Sequence, residues 1–158
     1  MNTRKVVSAL AVSAALLLGT SGCSLTHDVA SLQHYAPSDG SQIDIGKVKV
    51  RNFIYLTKGD GSGKLIGTVV NGGTTDASVS FEYVSFEERV KTDPFELPAG
   101  ETLDLGATPE NAALDVSVEA LPGSNIELWI SVNGETGQAL TVPVLDGSLE
   151  QYAPYLEN

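Results

Sequence analysis

Between Thr92 and Asn158 this chain has no lysine and no arginine, yet it carries 12 acidic residues. That half repels phosphate backbones and anionic lipid headgroups, so nucleic acid is excluded as its partner. Cysteine is almost missing. The only one is Cys23, so no internal disulfide can staple the fold and an apolar core has to hold it. Histidine occurs only as His27 and His34, and methionine only as Met1. Residues 43–158 therefore lack every side chain that soft metals prefer. A nucleophilic enzyme needs a base beside its nucleophile. The body of the chain offers no histidine for that purpose and no Gly-x-Ser-x-Gly elbow, so it reads as non-catalytic. Its longest apolar run, Val6 to Leu18, spans 13 residues. A membrane-crossing helix needs about 20.

What stands around that run carries the most information. Arg4 and Lys5 give a positive start, the apolar run follows, and Gly19-Thr20-Ser21-Gly22 leads into Cys23. This order of charge, apolar stretch and small residues is a bacterial secretion signal. With a cysteine directly after the small residues, it resembles a lipoprotein signal, which implies cleavage before Cys23 and acylation of its sulfur. Thr20 departs from that pattern, which commonly has leucine there. A plain secretory signal that leaves a free thiol is one alternative, and a buried core helix is another. The lipoprotein reading divides the chain into a signal (1–22), a lipidated tether (23–42) and a folded domain (43–158). It places the protein on the outer face of the cell membrane, held in the bilayer through acylated Cys23. Stable residence there requires more than one acyl chain.

Loss of the signal leaves seven basic and twenty acidic residues, a net charge of −13. The acidic residues are spread singly along the strands, a pattern that favours solubility beside a negatively charged membrane. They could also attract a basic partner or weakly bound divalent cations. Residues 24–42 are rich in Ser, Pro and Gly and show no sustained period, as a flexible tether does.

From Ile43 onward the period is two. Val48 and Val50 alternate with Lys47, Lys49 and Arg51. The following Phe53–Leu56 stretch requires a bulge near Asn52 to change facing. Leu65–Val70, Val79/Phe81/Tyr83, Glu87–Lys91, Thr102–Leu105, Leu114–Ala120, Ile126–Val132 and Leu140–Val144 complete the strands. Gly- and Asn-rich turns separate them. Pro143 has no N–H, which puts its strand at an edge or turns its bonding side outward. This spacing predicts an all-β, immunoglobulin-like β-sandwich of about seven to eight strands. Both Tyr-Ala-Pro phrases, at Tyr35 and Tyr152, read as extended terminal segments.

Gly59–Lys64 has the look of a phosphate loop, but Leu65 follows Lys64 and strands flank it, so it reads as a hairpin loop. Asp60-x-Ser62 lacks the further oxygens of a calcium loop. No cofactor and no metal site is expected. His27 and His34 lie seven residues apart on the tether and make at best a weak site. Two surfaces stand out as candidate partner sites. Trp129 alternates onto the polar face among Glu127 and Ser131, where it either anchors a partner or is covered by a loop or by the Leu149–Leu156 segment. Lys47, Lys49 and Arg51 form a basic strand face, which equally guards an edge against aggregation.

Several phrases occur together: Ser21-Gly22-Cys23, Tyr35-Ala-Pro-Ser-Asp-Gly40, Val48-x-Val50-Arg51-Asn52, Gly67-Thr-Val-Val-Asn71, Leu121-Pro-Gly-Ser124 and Val142-Pro-Val-Leu-Asp-Gly147. In this order they resemble the small cell-envelope lipoproteins of actinobacteria. Those proteins are distantly similar to periplasmic copper chaperones of the PCuAC type, which are β-sandwiches. The resemblance implies the sandwich. The Met and His copper ligands of those chaperones have no counterpart in residues 43–158. The expected function is a non-catalytic envelope module that binds or helps assemble another membrane or envelope protein. The alternative is a small-ligand or copper carrier.

Overall fold

The computed structural model describes residues 38–108 and 112–157. Cys23, His27, His34, the signal and the tether up to residue 37 lie outside the described residues.

The two-residue period becomes ten strands. They are β1 (Ser41–Ile45), β2 (Val48–Thr57), β3 (Gly63–Asn71), β4 (Ala77–Ser85), β5 (Glu88–Lys91), β6 (Phe95–Leu97), β7 (Thr102–Leu105), β8 (Leu114–Val116), β9 (Asn125–Val132) and β10 (Gln138–Leu145). The sandwich is as expected, with more strands than the seven to eight read from the pattern. Seven of them form the main path, in the order β5-β4-β9-β10-β2-β3-β7. The short β1, β6 and β8 pair onto its flanks. β1 begins at Ser41, inside the segment read as tether.

One layer holds β1, β2, β3, β7 and β8, and the other holds β4, β5, β6, β9 and most of β10. The layers join through β10. Gln138–Pro143 pairs antiparallel with β9, after which Val144 and Leu145 pair in parallel with Tyr55 and Leu56 of β2. Pro143 sits at the end of the stretch bonded to β9 alone, so its missing N–H breaks no ladder, as its chemistry requires.

The bulge falls where the sequence demands it. The β2–β3 register shifts between Arg51 and Ile54, and Asn52 takes φ 52°. Asn is a residue type that tolerates this conformation, and its Oδ1 also accepts the Gly40 N–H at 2.9 Å. Before the bulge Val48 and Val50 point inward, and after it Phe53 and Tyr55 do. The Phe53 ring lies over Gly67, where a Cβ would come within 2.3 Å of it. Phe53 meets Phe81 of the facing layer at 5.5 Å between ring centroids, and Phe81 meets Phe95 at 5.8 Å. These rings bridge the layers through a core of Val69, Val79, Leu128, Ile130 and Val142.

Past the bulge β2 is buried on both faces. Ile54 and Leu56 join Ile66, Tyr152 and Tyr155 in a second, smaller cluster. The C-terminal Tyr152-Ala-Pro is not extended, in contrast to the sequence expectation. Ala153–Leu156 forms a 3₁₀ turn with proline in its first positions, where a missing N–H costs nothing. The turn presses Tyr155 onto the back of β2 and β3, with its hydroxyl donating to the Gly106 carbonyl at 2.7 Å.

The strand expected over Leu114–Ala120 stops at Val116 because its partner β3 begins at Gly63, directly opposite. Beyond that point the buried Tyr55 hydroxyl takes over. It accepts the Val118 N–H at 3.3 Å and donates to the Val116 carbonyl at 3.2 Å. Burial pushes the Tyr55 phenol above its ordinary value.

Candidate functional site

Strand alternation puts Trp129 on the outer face of its layer, opposite Glu82 of β4, as the period predicts. It is half-buried; the C-terminal segment packs on the other layer, while Gly137 of the β9–β10 loop lies beside it, where an added Cβ would come within 3.2 Å of the Trp129 Cβ. The Arg89 guanidinium lies 4.5 Å from the centre of its ring. Arg89 comes from β5, on the far side of β4, and also pairs with Glu82. This trio is therefore assembled by register across three strands.

The basic strand is divided. Lys47 sits in the turn between β1 and β2, with its carbonyl accepting the Gly72 N–H at 3.0 Å. Lys49 is exposed on β2 opposite Asp44. Arg51 is engaged: it pairs with Asp44 at 2.5 Å and donates to the carbonyls of Val50 at 2.8 Å and Ile43 at 3.2 Å. The Arg51 hydrogen bond holds the Asp44 carboxyl below its ordinary value. The structure thus keeps Lys47, Lys49 and Arg51 on the β1–β2 ribbon and does not bring them to Trp129.

A third surface was not singled out in the sequence. At one end of the sandwich Val84, Phe86 and Leu121 are 39%, 57% and 69% exposed. They line a cleft of about 540 Å³ that Trp129 borders. Its lining holds the carboxylates Glu87, Glu119 and Glu127 and no lysine or arginine. Leu121 is presented by a tight Pro122-Gly123 turn. Ser124 N–H and Oγ both bond the Leu121 carbonyl, at 3.0 and 2.7 Å, and Gly123 N–H bonds the Val144 carbonyl at 2.8 Å. The Gly59–Gly63 hairpin loop packs alongside. A Cβ at Gly59 would lie 3.4 Å from Leu121 Cδ2, and one at Gly61 would lie 3.1 Å from Phe86 Cζ. The loop is closed by Asp60, whose Oδ1 accepts the Ser62 N–H at 3.1 Å and hydroxyl at 2.8 Å, confirming a hairpin loop.

Phe86 and Glu87 connect β4 to β5 in two residues, at φ 46° and 72°. That turn favours Asn-Gly, the pair found at the other hairpin of the same layer, Asn133 (φ 53°) and Gly134 (φ 74°). Without Asn or Gly the β4–β5 turn had no sequence signature. The discoverable signal was a bulky aromatic between two alternating runs.

No family model matches this chain, and no curated protein matches it in sequence. Solved structures do match. An apo PCuAC domain of PmoF2 superposes with a TM-score of 0.52 at 14% identity, covering 69% of this chain and 97% of that one. The copper-bound PCuAC domain from PmoF2 superposes with a TM-score of 0.50 at 15% identity, covering 66% and 97%. The fold of this protein is that of the PCuAC copper chaperone domains, to which it is distantly similar. Among the described residues no group of three or more His, Cys, Asp or Glu side chains is placed to hold a metal ion.

Proposed function

We propose that this protein is a non-catalytic, extracytoplasmic binding module, anchored to the outer face of the cell membrane through acylated Cys23, that engages an envelope or membrane protein. The observation that supports it most is the cleft at the Phe86–Leu121 end. Three of the four exposed large apolar side chains among the described residues gather there, Val84 at the end of β4 and Phe86 and Leu121 on turns. The PCuAC-like fold fits an extracytoplasmic, non-enzymatic role. The test is crosslinking in intact cells followed by purification of the tagged full chain from detergent-solubilised membranes. A stoichiometric protein partner is expected. Its absence from every crosslinking position overturns the reading. Replacing Cys23 with Ala should release the protein from membranes, and continued retention would remove the anchor.

A second reading is favoured by the fold it shares with a copper-bound domain. As a copper carrier, the chain would have to use His27, His34 or carboxylates, since residues 43–158 contain neither His nor Met. Cu(I) titration of the full chain and of a His27→Ala/His34→Ala variant separates the two. Saturable binding lost in the variant would favour the carrier.

A further inference from the structure

We propose that the cleft between the Phe86 turn and the Leu121 turn receives a segment of a partner protein that pairs an apolar side chain with lysine or arginine. This rests on the binding-module reading and names its site and the partner's chemistry.

The first observation is strain in an unusual place. A phenylalanine in the left-handed region is disfavoured because its Cβ crowds the backbone carbonyl. The turn that follows β9, also with two successive residues at positive φ, uses Asn133-Gly134 and avoids the cost. Nothing in the core requires Phe86, which is 57% exposed. A strained turn that holds an exposed aromatic sets folding against some other requirement, and binding supplies one.

The second observation is charge. Glu87, Glu119 and Glu127 surround the apolar floor, and none of them forms an ion pair among the described residues. The nearest guanidinium, Arg89, is committed to Glu82 and the Trp129 ring. Lys58 precedes the Gly59 loop and faces Asp60. The rim thus offers three unpaired carboxylates to an incoming cation. The same charges disfavour the other occupants. A second copy would bring identical carboxylates and, without the signal, a net charge of −13 against them. Anionic headgroups would be repelled. An apolar anchor flanked by basic residues satisfies both floor and rim.

The test uses the full chain in its membrane. A photoreactive phenylalanine is placed at Phe86, at Leu121 and, as control, at Thr74 on the opposite end, and the crosslinked peptides are sequenced. One protein should be captured from Phe86 and Leu121 and not from Thr74, through a segment of net positive charge carrying an apolar residue. Glu87→Gln, Glu119→Gln and Glu127→Gln together should lower the yield from Leu121 at least tenfold, and so should Phe86→Asn. Circular dichroism and thermal unfolding matching the parent chain report that the variants remain folded. Crosslinks only to lipid or to a second copy of this chain, capture through an acidic segment, or a yield indifferent to the Gln substitutions would each overturn the inference. A partner captured from Thr74 but not from the cleft overturns it and leaves the binding-module reading standing. Capture of no protein from any position removes both.

Discussion

The Tyr152 hydroxyl donates to Asp39 Oδ2 at 2.8 Å, tying the C-terminal segment to the stretch that leads into β1. The two residues are 113 positions apart. Burial, and then the Asp39 carboxylate beside it, push the Tyr152 phenol up to about 12 from its ordinary 10. The folded chain therefore holds the neutral phenol more firmly than the unfolded chain does. Its contribution to stability is complete below pH 10 and is lost as pH rises toward 12. Denaturant titrations at pH 8, 10 and 12 should show the wild type losing more stability over that range than Tyr152→Phe. At pH 8 the variant should be about 1–2 kcal/mol less stable, from the lost charge-assisted hydrogen bond. Equal alkaline losses would show that the bond is not the cause.

Gly67→Ala should be strongly destabilising. The new Cβ would meet the Phe53 ring at 2.3 Å, at a residue whose φ is +149°. Overpacking and backbone strain together should cost about 2–4 kcal/mol. Chemical denaturation measures it. A companion Phe53→Leu change should recover part of the loss if the clash is its source.

Asn71 is a polar hub in the interior. Its Nδ2 faces the carbonyls of Thr75 at 2.8 Å, Leu97 at 3.0 Å and Pro98 at 3.2 Å, while its Oδ1 accepts the Gly73 N–H at 2.9 Å. Asn71→Ala strands these groups and should cost about 2–4 kcal/mol. Hydrogen exchange should rise at Gly73 first.

Arg89→Ala should act locally. Trp129 is the only tryptophan, so its emission reports this site alone. Loss of the guanidinium over the ring should shift emission to longer wavelength, with a stability change below about 1 kcal/mol because Arg89 is largely exposed.

Replacing Phe86-Glu87 with Asn-Gly should raise stability by about 0.5–2 kcal/mol, since that pair suits a turn with both residues at positive φ. Thermal unfolding checks this. A fall in stability would mean that Phe86 contributes packing that outweighs its strain.

Much of this architecture was legible because half-buried strands carry a strict two-residue period. Val79, Phe81 and Tyr83, and likewise Ile126, Leu128, Ile130 and Val132, point inward as the alternation requires. The bulge at Asn52 was legible because the apolar pattern changes facing there. β6 was missed because three residues between prolines carry no period. The C-terminal 3₁₀ turn was missed because its stability comes from contact with Ile54, Leu56 and Ile66, far away in sequence. At the candidate sites, alternation alone gave Trp129 its face. Its cover, Arg89, follows from the register of two ladders and is invisible along the chain.

By itself the sequence determined the class of fold, the want of soft-metal ligands in the domain and the acidic balance of its second half. Each depends only on residue type or local period. The tertiary structure decided which exposed residues are already engaged and which stand free. Arg51 is held by Asp44, and Arg89 by Glu82 and Trp129, through contacts between strands. Val84, Phe86 and Leu121 meet at one end of the sandwich only because β4, the turn before β9 and the hairpin loop after β2 converge there. Such convergence is set by strand register and layer packing, which no local pattern of residues encodes.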